Sequence, residues 1–215
     1  MKKIFFVILY LAVNAAVHGQ KFEFDLLTKY VISAENYQRE TAVYSNSTNK
    51  FFYLYLNYDS KTANLYDLKT NILYKFEVLQ SKVNKDLFFE FKYLVSKKII
   101  PNRHIINFES EYTIVKKDSI YAEIKLDIYT NSKRKKPHHS LLLKAKKSKT
   151  NLFAIFRVNC LHPFEFTSKI DIPENLVIES GESINGSRDK TKFKLALLKD
   201  VKFELEIPQN QIWED

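Results

Sequence analysis

Glycine is nearly missing from this chain, at three residues in 215. Dinucleotide fingerprints and P-loops need clustered glycines where backbone approaches phosphate, so both are excluded. A single cysteine, Cys160, leaves no partner for an intramolecular disulfide and no Cys-x-x-Cys pair for zinc or redox chemistry. Five prolines and no Gly/Pro/Ser-rich tract provide no linker to divide the chain. Heptad and solenoid repeats are absent as well. No apolar run, the one from Ile4 to Val13 included, reaches the length of a membrane-spanning helix.

Phenylalanine (17) and tyrosine (13) are abundant, a bias towards strands rather than helices. At 45% hydrophobic residues the chain can bury a sizeable core. The stretch Phe51 to Leu79 sets the pattern. Phe52, Leu54 and Leu56 alternate with Phe51, Tyr53 and Tyr55, so the two sets fall on opposite faces of an extended chain. Asp59-Ser60-Lys61 and Asp67 to Asn71 are turn signals, because Asp, Ser and Asn hydrogen-bond their own backbone. Ile72, Tyr74, Phe76 and Val78 then form a third alternating run, completing a three-strand meander. The tyrosine-bearing face, Phe51, Tyr53 and Tyr55, is the candidate ligand-binding surface, since a phenol covers apolar surface yet keeps its hydroxyl wet. Its bland alternative is ordinary sheet surface beneath a loop.

Strands are expected at Lys21 to Leu26, Glu40 to Ser45, Leu87 to Val95 and Tyr112 to Lys116. The clearest is Ile120 to Tyr129, with Ile124, Leu126 and Ile128 on one face and Glu123, Lys125 and Asp127 on the other. Leu141 to Ala145 and Leu152 to Val158 read as two further apolar strands. Phe193 to Leu198 and Val201 to Ile207 read as a hairpin turning at Lys199-Asp200. Leu27 to Arg39 is expected to hold a short helix or loop, and Lys97 to Phe108, containing Pro101, an irregular crossing. About ten strands with turns every 8–12 residues or so imply an all-β fold. The expectation is a single antiparallel β-sandwich or curved half-barrel with at most one short helix.

Met1 to Gly19 has the layout of a secretory signal: Lys2 and Lys3, an apolar run from Ile4 to Val13, and small residues at Val17-His18-Gly19. Cleavage after Gly19 would leave residues 20–215 as one all-β domain and lower the formal net charge from +9 to +7. An exported chain without disulfides suits a bacterial envelope, periplasmic or extracellular, better than an animal secretion. The sequons Asn46-Ser47-Thr48 and Asn185-Gly186-Ser187 are chance matches to a short pattern in that setting.

Chemistry is sparse. His138-His139 with Cys160 and His162 is the one imaginable metal constellation. Adjacent histidines on a strand point to opposite faces, so no metal site is expected. Gly181-Glu182-Ser183-Ile184-Asn185-Gly186 is one residue too long for a nucleophile elbow and reads as a loop. Cys160 reads as a buried small hydrophobe. No catalytic residue and no cofactor is assigned. One charge anomaly stands out. Lys133, Arg134, Lys135 and Lys136 lead into Lys144, Lys146, Lys147 and Lys149, with no acid between Asp127 and Glu165. This is the candidate anion-binding run, facing lipid headgroups or another anionic envelope component, against the plain reading of a solvated hairpin tip. Nucleic acid is disfavoured, because no recognition module is present.

The signal ending at Gln20, the following Lys21-Phe22-Glu23-Phe24-Asp25-Leu26-Leu27-Thr28-Lys29-Tyr30 and the Tyr/Phe-rich meander resemble small exported proteins of flavobacterial type with no assigned function. The resemblance covers the N-terminal half and implies an envelope or extracellular location. A fold-level analogy links the strand-rich pattern to lipoprotein carriers, whose curved sheet holds acyl chains. The functional expectation is a non-catalytic exported protein binding an apolar or amphipathic ligand or an envelope partner. A structural or adhesion module ranks second and a secreted hydrolase third. Whether the strands enclose a Phe/Tyr-lined cavity or close on a solid core separates the first two.

Overall fold

The computed structural model describes residues 19–57, 59–83, 86–100, 108–129, 136–161, 170–185 and 190–214, apart from the side chains of 82, 83, 86, 87 and 185. Its strands are β1 (Gln20–Ala34), β2 (Tyr37–Ser45), β3 (Phe52–Asn57), β4 (Thr62–Asp67), β5 (Ile72–Val83), β6 (Asp86–Lys98), β7 (Glu109–Lys117), β8 (Tyr121–Tyr129), β9 (His139–Lys147), β10 (Leu176–Asn185) and β11 (Lys192–Ile207). One helix, α1 (Phe153–Cys160), lies between β9 and β10. The strands form one unclosed antiparallel sheet in the order β6-β5-β4-β3-β2-β1-β11-β10-β9-β8-β7. This is the expected all-β curved sheet with one short helix, although the helix stands where a strand was expected.

The long strands β1 and β11 are the centre of the sheet, paired from Gln20–Ile207 to Ser33–Lys192. Register shifts at Phe24/Leu26 and Lys29/Tyr30 interrupt that pairing. Such irregularities sharpen the local twist, and a shift can send successive stretches of a strand to opposite faces. The consequence is two cores. Phe22 and Phe24 pack with Tyr44, Phe52, Leu54, Leu65, Tyr74, Phe76 and Leu205 in the N-terminal half. Tyr30 and Ile32 pack instead with Ile124, Leu126, Leu141, Leu143, Phe156, Ile178 and Phe193 around the helix. Along β3, Leu54 belongs to the first core while its neighbour Tyr53 packs on Val158 of α1. Both faces of β3 are therefore covered.

In the N-terminal half the sheet rolls far enough for its β6 edge to meet the central strand β11. Phe91 of β6 stacks on Phe203 of β11 at 5.9 Å, although six strand-to-strand steps separate them in the sheet. The segment after β11 then clasps β6. Ser96 and Trp213 form a parallel bridge, the Ser96 amide donates to the Ile212 carbonyl at 2.7 Å, and the Glu214 amide donates to the Ser96 carbonyl at 2.9 Å.

Helix α1 replaces the strand expected over Leu152 to Val158. That run is apolar at almost every position and so carries no period. It is buried on nearly all sides, and the helix satisfies its own backbone groups where strand partners are already taken. The Asn151 side chain accepts from the Phe153 amide at 2.9 Å, covering one orphan donor of the first turn. Three other expectations also change. Leu27 to Arg39 is strand through Ala34 and again from Tyr37, because Thr28, Tyr30 and Ile32 alternate into the core. Residues 192–207 form one strand rather than a hairpin: Lys199-Asp200 sits at an irregular register opposite Leu26–Leu27. Gly181 lies within β10, where an added Cβ would meet Leu143 Cδ2 at 2.6 Å.

A buried polar knot fixes α1 to the sheet. Asn159 donates to Thr28 Oγ1 and to the Ile155 carbonyl, both at 3.0 Å, and accepts from Thr41 Oγ1 at 3.0 Å. All three side chains are about as buried as the apolar core. Asn159→Ala strips bonds that water cannot replace there, so chemical denaturation should report a loss of about 2–3 kcal/mol. A loss below ~0.5 kcal/mol would show that the knot is not what seats the helix.

Candidate functional site

Two features occupy the sheet face opposite α1. The first is the seam where β6 meets β11. Leu27, Val78, Phe91, Val201 and Phe203 pack against the N-terminal core but stay only partly buried. Phe203 is the hub, 4.7 Å from Phe24, 4.7 Å from Tyr44 and 5.9 Å from Phe91. Behind it the rings are close-packed, with Phe22–Phe52 at 5.1 Å and Phe24–Phe52 at 5.4 Å. These rings pack on one another, and apolar surface stays partly exposed along the seam. The partly exposed apolar side chains form a hydrophobic strip along the seam.

The second is an open groove of about 440 Å³ over β8 to β11, lined by Ser33, Glu123, Leu142, Lys144, Ser180, Glu182, Lys192 and Lys194, with Leu143, Gly181 and Phe193 beneath. It forms where β10 pairs with β11, among the described residues, at Ser180–Lys194, Gly181–Phe193 and Glu182–Lys192. The Lys144 ammonium lies 5.0 Å over the Tyr121 ring. Among the described residues no ion pair joins the five charged side chains of the groove.

The residues singled out in the sequence are scattered. Tyr53 is fully buried against Val43 and Val158, with Tyr55 packed beside it, while Phe51 is 60% exposed before β3 begins. The three do not form one surface, because α1 covers the face that alternation assigned to them. Lys133, Arg134 and Lys135 lie outside the described residues, and Lys136 is exposed just ahead of β9. Lys144 of the same basic run lines the groove.

Other reactive groups are placed against chemistry. Burial pushes the Cys160 thiol well above its usual range, so it stays protonated within the helix core. The His138 ring stacks on Phe108 at 5.9 Å, and His139 titrates below its usual range through burial and the neighbouring His138. His104 and His162 lie outside the described residues. Among the described residues no three His, Cys, Asp or Glu side chains gather as a metal site. Asn46 of the first sequon is tied into its turn, donating to the Glu23 carbonyl and accepting from Thr48 and Asn49. No helix among the described residues is long and apolar enough to cross a membrane.

No protein-family model and no curated protein matches the chain. Among solved structures, a DUF1329 family protein from Desulfovibrio piger aligns over 88% of this chain and 89% of its own, at 8% identity and a TM-score of 0.22. A likeness at that level carries no argument about function. The class established here is an all-β protein with two cores on one sheet.

Burial raises the Tyr53 hydroxyl to about 12, and Tyr30, whose hydroxyl donates to the Ile178 carbonyl at 2.6 Å, is also raised well above its usual range. In the unfolded chain these phenols ionise near pH 10. Below that pH their contribution is fully present, and it is lost as pH rises from 10 through the folded values. Thermal melts from pH 9 to 12 should show falling stability, with a shallower decline in Tyr53→Phe by on the order of 2 kcal/mol. Identical slopes for the two proteins would contradict the burial of Tyr53.

Proposed function

We propose that this is an exported, non-catalytic β-protein that binds an apolar or amphipathic ligand along the β6–β11 seam. The observation that carries the reading is the partly buried set Leu27, Val78, Phe91, Val201 and Phe203, where the rolled β6 edge meets β11. Burying apolar surface stabilises a bound chain by about 25 cal/mol per Å². A hydrocarbon chain laid on the seam would shield rings that strand pairing does not cover. The signal-like Met1 to Gly19 supports export to an envelope compartment, where such ligands are plentiful. A structural or adhesion role is the second reading, favoured by the close-packed interior of Phe22, Phe24 and Phe52.

Titration with a 16-carbon fatty acid, read by displacement of a naphthalene dye and by native mass spectrometry, tests the first reading. Saturable binding is expected. Phe91→Glu should weaken it at least tenfold, since a carboxylate would sit on the apolar strip. Phe88→Glu, at a position already 52% exposed on the same strand, should leave it unchanged. Failure of the unmodified protein to take up either probe rejects the ligand-binding reading in favour of the structural one.

A further inference from the structure

The strand register arranges the groove's charges in two rows. Glu123 pairs with Lys144, Lys144 with Ser180, and Ser180 with Lys194, so these four side chains stand side by side across β8, β9, β10 and β11. In the next row Leu142 pairs with Glu182 and Glu182 with Lys192. Neighbouring strands lie about 4.8 Å apart, which puts the Lys144 and Lys194 backbones about 10 Å apart with Ser180 between them. Lys194 flanks that serine, and Lys144, whose ammonium rests over the Tyr121 ring, reaches it by turning its side chain; the serine hydroxyl is a further donor. Glu182 stands one row away.

This arrangement selects against simple ions. A bare cation meets three ammonium groups, and a bare anion meets two carboxylates. A molecule carrying both signs a few ångströms apart satisfies each set. The cross-strand contacts between Glu123 and Lys144 and between Glu182 and Lys192 leave the charges unneutralised by ion pairs within the sheet, although opposite charges at such positions commonly join. We infer that the groove is a binding site for a small zwitterionic group, its phosphate or carboxylate held over Ser180 by Lys144 and Lys194 and its ammonium held by Glu182. This site is separate from the seam and does not depend on apolar ligand binding there.

Calorimetric titration of the full chain with O-phosphoethanolamine, inorganic phosphate and ethanolamine tests the inference, with vesicles of phosphatidylcholine and phosphatidylethanolamine as a further arm. O-phosphoethanolamine should bind saturably and more tightly than phosphate, and ethanolamine should not bind. The double variant Lys144→Gln/Lys194→Gln should weaken binding about tenfold or more. Glu182→Gln should erase the preference over phosphate while leaving phosphate affinity intact or improved. All these positions are at least partly exposed, and circular dichroism checks that the variants fold. Vesicle binding that competes with O-phosphoethanolamine identifies a lipid headgroup as the source of the ligand, and soluble binding without vesicle binding identifies a free small molecule. No saturable binding of O-phosphoethanolamine, or equal affinity in the double variant, overturns the inference. Phe91→Glu should not change this binding, which separates it from the seam.

Discussion

Everything else in the molecule hangs on the antiparallel pairing of β1 with β11. These two strands come from opposite ends of the chain, and each supplies side chains to both cores. Their pairing has to close nearly the whole sequence into a loop, an entropic cost that grows only slowly with length but must be met by burial. The register shifts at Phe24/Leu26 and Lys29/Tyr30 are what let one strand serve two cores. Ahead of the first shift Phe24 stacks on Phe203; beyond the second Tyr30 meets Phe156 of α1.

That division explains where surface is left over. A flat sheet of eleven strands would need a second layer along its entire length. Here the N-terminal strands curl on their own aromatic side chains, and the C-terminal strands curl on one helix. Neither curl is closed by strand pairing. The first is held at its rim by a short C-terminal clasp on Ser96, and the second ends at β7, an edge carrying Lys116, Lys117 and a register shift at Ile114/Lys116. Charges and irregularity of this sort discourage edge-to-edge association. Among the described residues, the seam and the groove are places on the face opposite the helix where side chains converge and stay at least partly exposed.

Much of the fold was legible because alternation reports a two-sided environment. Ile124, Leu126 and Ile128 were expected on one face of a strand and are all buried, while Glu123, Lys125 and Asp127 occupy the other. The meander through Phe52, Leu65 and Phe76 was equally plain. Helix α1 was not legible: Phe153, Ala154, Ile155 and Phe156 are apolar in succession, and a segment buried all round has no period to read. Lys199-Asp200 has turn chemistry, yet the partner strand holds it extended. The face bearing Tyr53 and Tyr55 was correctly separated from Leu54, but nothing local says that a helix a hundred residues later covers it. The groove was invisible for a related reason. Glu123, Lys144, Ser180 and Lys194 are far apart in sequence, and only strand register sets them in a row.

Native-state hydrogen exchange measures the central claim most directly. If β1 and β11 serve both cores, their amides should exchange slowest and only through global opening, with β3 to β5 and β8 to β9 losing protection in the same cooperative step. Protection that survives in one half of the sheet while β1 and β11 exchange freely would contradict the account.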